Sequence, residues 1–190
     1  MQSIVVSNEI LMERLQANDA ETIFYAIDQN RTHLAKWLPF VSNTNEVKDS
    51  EAFIQIILSH REETRNEVYT IWYKGKFAGL IDFHLTDRIN EKTEIGYWLI
   101  EGLIGHGIIH QCCQVLIGLA FEKNGMNRIT IRCAESNVPS EKVARRLGFS
   151  YEGIERSGER YGDLFFDLKV FSLLKSESHE QSSISVLKIL

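Results

Sequence analysis

The chain has 190 residues, 44% of them hydrophobic, and a formal net charge of -5, which suits one domain with an ample core and gives no electrostatic ground for nucleic acid as a main partner. Met1-Gln2-Ser3-Ile4 lacks the basic-then-apolar layout of a signal peptide, and no apolar run approaches the roughly 20 residues of a membrane span. Three cysteines, two of them adjacent, read as small core residues of a reducing compartment rather than as zinc ligands, so the expected setting is the cytoplasm, with no membrane, nucleic acid or metal.

The N-terminal third reads as mostly helical. Asn18-Asp19-Ala20-Glu21 supplies a cap and early acids for a helix whose apolar face is Ile23, Phe24 and Ile27. A second helix covers 31–38 and stops at Pro39. A third runs from Lys48 to Glu63, with Phe53, Ile54, Ile57 and Leu58 on one side. Strands follow. Val68 to Tyr73 is rich in aromatic and β-branched residues, and Lys74-Gly75-Lys76 turns it into Phe77 to Leu85 as a hairpin. A strand over 92–100 leads into a glycine-rich turn and a helix striped with Ile109, Cys112, Cys113, Leu116 and Ala120. Arg128 to Cys133 alternates as a strand. Pro139 to Leu147 is a short helix, with proline in its first turn and Gly148 past its end. Tyr151 to Arg156 and Leu164 to Leu174 close a hairpin-like pair, with a loop between them. This order predicts a mixed α/β fold on one sheet, in which the crossover from 94 to 133 joins parallel neighbours. Residues 1–175 form the expected domain. Residues 176–190 are an extension ending in Ile184, Val186, Leu187, Ile189 and Leu190, which could order against protein surface or stay free.

Gly102-Leu103-Ile104-Gly105-His106-Gly107-Ile108 has three glycines in seven residues before a helix. A turn of this kind points several unpaired backbone N–H groups one way, and with the helix dipole it can hold a phosphate or pyrophosphate. It can equally be a plain glycine-rich connection. Two nucleotide motifs are excluded. Ile108-Ile109 stands where a Walker loop needs Lys-Ser/Thr, and residues 105–110 lack the third glycine of a dinucleotide fingerprint.

Asn137-Val138-Pro139-Ser140 and the helix ending in Leu147-Gly148-Phe149, taken with that turn, resemble the GNAT superfamily of N-acetyltransferases. Asn30-Arg31-Thr32-His33-Leu34, Trp37-Leu38-Pro39-Phe40 and Gly158-Glu159-Arg160-Tyr161 with Asp163 look like its RimL/RimJ-like branch, the ribosomal-protein N-terminal acetyltransferases. The resemblance implies a GNAT fold, with a single mixed, splayed central sheet of about six to seven strands flanked by helices. It also implies acetyl-CoA as co-substrate, a primary amine acceptor and a homodimer. The acceptor could be a ribosomal-protein N-terminus or a small amine such as a polyamine, an aminoglycoside or an aminoacyl compound. A non-catalytic acyl-CoA-binding module is the rival outside the enzymes. One departure stands out: Gly102 occupies a position where the family often carries Gln or Arg.

Acetyl transfer needs a neutral amine, a stabilised oxyanion and a proton for the departing thiolate. By resemblance, Ser140 gives that proton and Glu159 is the general base. Read from spacing alone, Ser140 could simply satisfy helix N–H groups, and Glu159 could be a solvated acid in a loop shared with Glu155 and Asp163. The backbone of Trp98, Leu99 and Ile100 is expected to pair with the pantetheine arm. Gly105, His106, Gly107 and Ile108 are expected to hold the pyrophosphate. Asn137 bonds the pantetheine, caps the helix, or does both. Trp37 and Phe40 wall the acceptor cleft, or Trp37 is core. Lys142, Arg145 and Arg146 reach the 3′-phosphate or form a solvated face.

Overall fold

Two strands that the sequence reading leaves unassigned precede the first expected helix. The computed structural model describes residues 3–60 and 67–178. β1 (Ser3–Val5) and β2 (Ile10–Arg14) pair antiparallel, with Ile4 opposite Met12. Ile10 and Met12 are buried while Leu11 and Glu13 are less so, the alternation of a half-covered strand. At three and five residues the two strands give periodicity little to act on, which is why they escape the sequence reading.

The helices that follow differ from expectation at their ends. α1 (Ala20–Gln29) buries Ala20, Ile23 and Ile27. Asp19 does not cap it; its carboxylate accepts the Gln16 N–H at 2.7 Å instead. α2 is only Arg31–Leu34, and Pro39 opens a separate turn, Pro39–Asn43, rather than ending a longer helix. α3 (Val47–Ser59) starts where the Asp49 carboxylate accepts the N–H groups of Asn45 and Glu46. Leu15, Ile23, Ile27, Leu34, Val41, Ile54, Val68, Leu80 and Trp98 form one buried cluster.

β3 (Glu67–Tyr73) turns through Lys74 and Gly75 into β4 (Lys76–Asp87). Both turn residues have positive φ, 52° and 74°, which matches the right-handed twist of the flanking strands. β5 (Lys92–Leu99) leads through the glycine turn to α4 (Ile108–Gly118), which continues as a wider turn over Leu119–Lys123. The expected stripe of Ile109, Cys112, Cys113, Leu116 and Ala120 is buried throughout. Burial pushes the Cys112 thiol up to about 12 and holds Cys113 well above the ordinary thiol value, so neither is a ready nucleophile. β6 (Arg128–Ala134), α5 (Val138–Arg146), β7 (Ser150–Tyr161), β8 (Leu164–Leu174) and α6 (Lys175–Ser178) complete the described chain. The strands form one eight-stranded mixed sheet in the order β1-β2-β3-β4-β5-β6-β8-β7, so the expected count of six to seven is low by the N-terminal strands.

Among the described residues, those to Asp82 with Tyr97–Ile108 form one compact unit, and Phe83–Gly96 with 109–178 form the other. β5 and β6 are parallel, as the crossover requires, but their ladder joins only Lys92–Glu94 to Arg128–Thr130. Beyond it Ile95 and Gly96 leave β6, although β6 runs on to Ala134, and the sheet is splayed there. The apolar run 184–190 lies outside the described residues.

Candidate active site

In the first unit the end of β5 is set by a glycine on β4. A Cβ at Gly79 would collide with the Trp98 carbonyl oxygen and lie 3.0 Å from Leu99 Cα, so only glycine lets the strands come this close. Ile100 donates its N–H to the Ala78 carbonyl at 2.9 Å, and its own carbonyl accepts from Leu103. Gly105 and Gly107 then take left-handed φ values of 89° and 73°, and a Cβ built at Gly105 meets nothing within 4 Å. Ile108 buries its side chain while its amide opens α4. The His106 ring is exposed and tilts against Tyr73 at 6.0 Å. Gly102 has neither a left-handed φ nor a neighbour its Cβ would meet, so nothing local requires glycine there.

The Asn-Arg-Thr-His stretch has a structural explanation in the same unit. The Asn30 side-chain oxygen accepts the Glu101 N–H at 3.0 Å, fixing the turn that follows β5. Arg31 donates to the carbonyls of Val41 and Thr44, both at 2.7 Å, and pairs with Asp28. Its guanidinium thereby staples the segment that carries Phe40, which stays 41% exposed, while Trp37 is half-buried.

In the second unit α5 is capped at both ends. Asn137 accepts the Ser140 N–H at 3.2 Å. Phe149 and Gly148 donate to the carbonyls of Ala144 and Arg145, with Gly148 at φ 80°, which is the αL closure that the Leu-Gly-Phe spelling encodes. The Ser140 hydroxyl shares a hydrogen bond with the Cys133 thiol, whose pKa burial raises. Of the three basic residues on α5, Arg145 is occupied by Glu141 at 2.8 Å and by the rings of Tyr151 and Phe171, whereas Lys142 and Arg146 are exposed.

Glu159 is not in a loop. β7 runs unbroken to Tyr161, and Glu159 pairs with Phe166 on β8. Residues paired across strands share a face, and faces alternate along each strand. Glu94 pairs with Thr130 and Arg132 with Val170, while Leu168 and Phe166 pair with Glu155 and Glu159. Glu94, Arg132, Glu155 and Glu159 therefore lie on one face, across three strands. Arg132 forks to Glu94 at 2.7 Å and Glu155 at 2.9 Å, and His84 Nε2 lies 3.2 Å from Glu94. Tyr161 donates its hydroxyl to Glu159 over a long 3.4 Å. Burial is the largest influence on Glu159 and raises its pKa, against the lowering pull of Tyr161, Arg132 and His84; Glu94 adds to the rise. Cys133 faces the other way from Arg132, so Ser140 meets the opposite face of β6. Sequence reasoning missed Glu94, Arg132, Glu155, His84 and Tyr161. The available signal was the polar half of the alternation in Arg128-Ile129-Thr130-Ile131-Arg132.

The first unit thus carries a glycine turn that opens a helix, and the second a carboxylate lifted by burial on a charged face. The family model described as Acetyltransferase (GNAT) domain matches residues 9–150, and the chain belongs to this family of N-acetyltransferases. It is similar to the Bacillus subtilis (strain 168) protein YdaF, whose name assigns it provisionally as a ribosomal N-acetyltransferase, at 35% identity over 173 residues, 90% of this chain and 94% of that protein. The ribosomal-protein-serine acetyltransferase of Escherichia coli (strain K12) is 27% identical over 171 residues, covering 90% of this chain and 96% of the relative. Among solved structures, the microcin C7 self-immunity acetyltransferase MccE, in complex with acetyl-CoA and AMP, superposes with a TM-score of 0.85 at 28% identity, over 89% of this chain and 94% of that one.

Proposed function

We propose that this chain, through residues 1–175, moves an acetyl group from acetyl-CoA to the α-amine of a protein N-terminus, of the ribosomal-protein kind. The observation that carries the reading is the Glu159 carboxylate, half-buried and raised in pKa on a face it shares with Glu94 and Arg132. An α-amine has a pKa of roughly 8, and a base lifted toward neutrality is better matched to it than an ordinary carboxylate. The amine attacks the thioester carbonyl and Glu159 accepts its proton. The C–S bond breaks as the tetrahedral adduct collapses, and the Ser140 hydroxyl protonates the departing thiolate. The opening beyond Glu94 and Thr130 supports direct transfer: a thioester lying in it meets Glu159 from one face of β6 and Ser140 from the other. Gly105, His106, Gly107 and Ile108 would hold the pyrophosphate through backbone amides, and Trp98, Leu99 and Asn137 the pantetheine. Trp37 and the exposed ring of Phe40 would line the acceptor side.

The names of the YdaF and serine acetyltransferase relatives favour a ribosomal-protein acceptor. The AMP bound in the MccE structure favours a second reading, an aminoacyl nucleotide as the amine acceptor. Cytoplasmic residence and a homodimer complete the proposal, and light scattering of the purified chain tests the latter. Mass spectrometry of ribosomal proteins and of aminoacyl nucleotides after incubation with acetyl-CoA separates the acceptors. An acetylated protein N-terminus supports the first reading; acetylation of the aminoacyl nucleotide alone replaces it.

A further inference from the structure

Glu155 pairs with Leu168 and Glu159 with Phe166, so four steps along β7 match two along β8. Arg156, Ser157 and Gly158 absorb the excess as a bulge. In a regular ladder Glu159 would stand opposite Leu164, two residues nearer the hairpin tip and about 7 Å further along the strand. Leu164 is 65% exposed, so that position is wet, whereas the bulge draws Glu159 back along the same face, toward the point where Arg132 holds Glu94 and Glu155.

The bulge is held at three points. Ser157 sits at φ 52°, a left-handed conformation unfavourable for a non-glycine residue. Its N–H donates to the Asp167 carboxylate at 2.8 Å, reaching across to β8. Gly158 packs so tightly that a Cβ would lie 3.0 Å from the Leu168 side chain and 3.1 Å from the Glu155 carboxyl carbon. Asp167 alternates to the face opposite Phe166 and Leu168, and so away from Glu159. It supplies the acceptor that offsets the strain at Ser157.

We infer that Asp167 is a positioning residue: through the Ser157 N–H it holds the β7 bulge and so sets where Glu159 stands. This rests on Glu159 being the base only for its kinetic consequence; the register consequence is independent of it. The groups facing Glu159 are Tyr161 on its own strand, Arg132 on β6, Glu94 on β5 and His84 on β4. A Glu159 released from the bulge moves toward water and its pKa falls, so the acid limb of the pH–rate profile moves to lower pH.

The test combines NMR of the full chain with kinetics on acetyl-CoA and a short peptide bearing a free N-terminal serine. Asp167→Ala is expected to lose the Glu159–Phe166 cross-strand contact. It should lower kcat about tenfold or more with KM for acetyl-CoA unchanged, since a displacement of this size at a reacting group is costly. Asp167→Asn, which keeps an acceptor oxygen, should retain both contact and rate. In a Glu159→Gln background Asp167→Ala should change kcat no further. A cross-strand contact that survives Asp167→Ala overturns the inference, as does an equal loss of kcat with and without Glu159. Full turnover by Glu159→Gln overturns the base assignment instead, and the NMR contact still decides whether Asp167 holds the bulge.

Discussion

The glycine turn after β5 and the charged face of β4 to β7 are built on opposite principles. At the turn the useful groups are backbone amides, and what the sequence supplies is the lack of a side chain, at Gly105 and Gly107 for a left-handed backbone and at Gly79 for close approach. On the charged face the useful groups are side chains from four strands, and what the sequence supplies is register, which places Glu94, Arg132, Glu155 and Glu159 together, with His84 beside Glu94. The first arrangement tolerates many substitutions that add no Cβ in the wrong place. The second fails when one charge is lost, because its neighbours are left unpaired.

On the function proposed above, this contrast separates binding from chemistry in ways that variants can break. The largest effect is expected from Ser140→Ala, which should lower kcat roughly 10²–10⁴-fold with little change in acetyl-CoA affinity, read by steady-state kinetics. Ser140 stands on the face of β6 opposite the charged one, and a matching loss of affinity would assign it to binding rather than to chemistry. Next comes Arg132→Met. It strips the 12%-exposed Glu94 carboxylate of its closest partner, and calorimetry should show a loss of about 3 kcal/mol in stability without any ligand. Gly107→Val should act in the reverse sense. It strains a φ of 73° by about 1–2 kcal/mol and crowds the bound anion, so it weakens coenzyme A binding while kcat at saturation holds. The wild type should gain about 2.7 kcal/mol at a hundred times Kd, read as a rise in Tm, and the variant at the same concentration much less. Gly102→Gln should leave that gain intact, since its backbone is unstrained and its Cβ meets nothing within 4 Å. The smallest effect lies outside both regions. Ser50 on α3 is 2% exposed and its hydroxyl has no hydrogen-bond partner among the described residues, so Ser50→Ala should raise stability by up to about 1 kcal/mol in chemical denaturation.

What the sequence shows of each region follows the same division. The glycine turn, the α5 caps and the buried stripe of α4 are local patterns, and each is readable within a dozen residues. The Asn137 cap and the Gly148 closure formed where proline, serine and glycine spacing placed them. Glu159 could be named by resemblance, but its place on a strand could not, because the bulge before it interrupts the alternation that marks β7. Arg132 and Glu94 were hidden for a different reason. Each reads as the outer half of an alternating strand, and only the pairing of β5, β6 and β8 makes them inner. The N-terminal strands were too short to declare a period. Asn30 and Arg31 stood out as a family spelling, and their hydrogen bonds to Glu101, Val41 and Thr44 give that spelling a structural reason.

The pH dependence of turnover in the wild type and in Glu159→Gln tests the central claim most directly. A carboxylate must be ionised to accept the amine's proton, so wild-type kcat should fall as pH drops through the raised pKa of Glu159, above the usual carboxylate range. Glu159→Gln should be slow at every pH and should lack that limb. A variant that keeps both the wild-type rate and the same acid limb would place the base elsewhere and contradict the account.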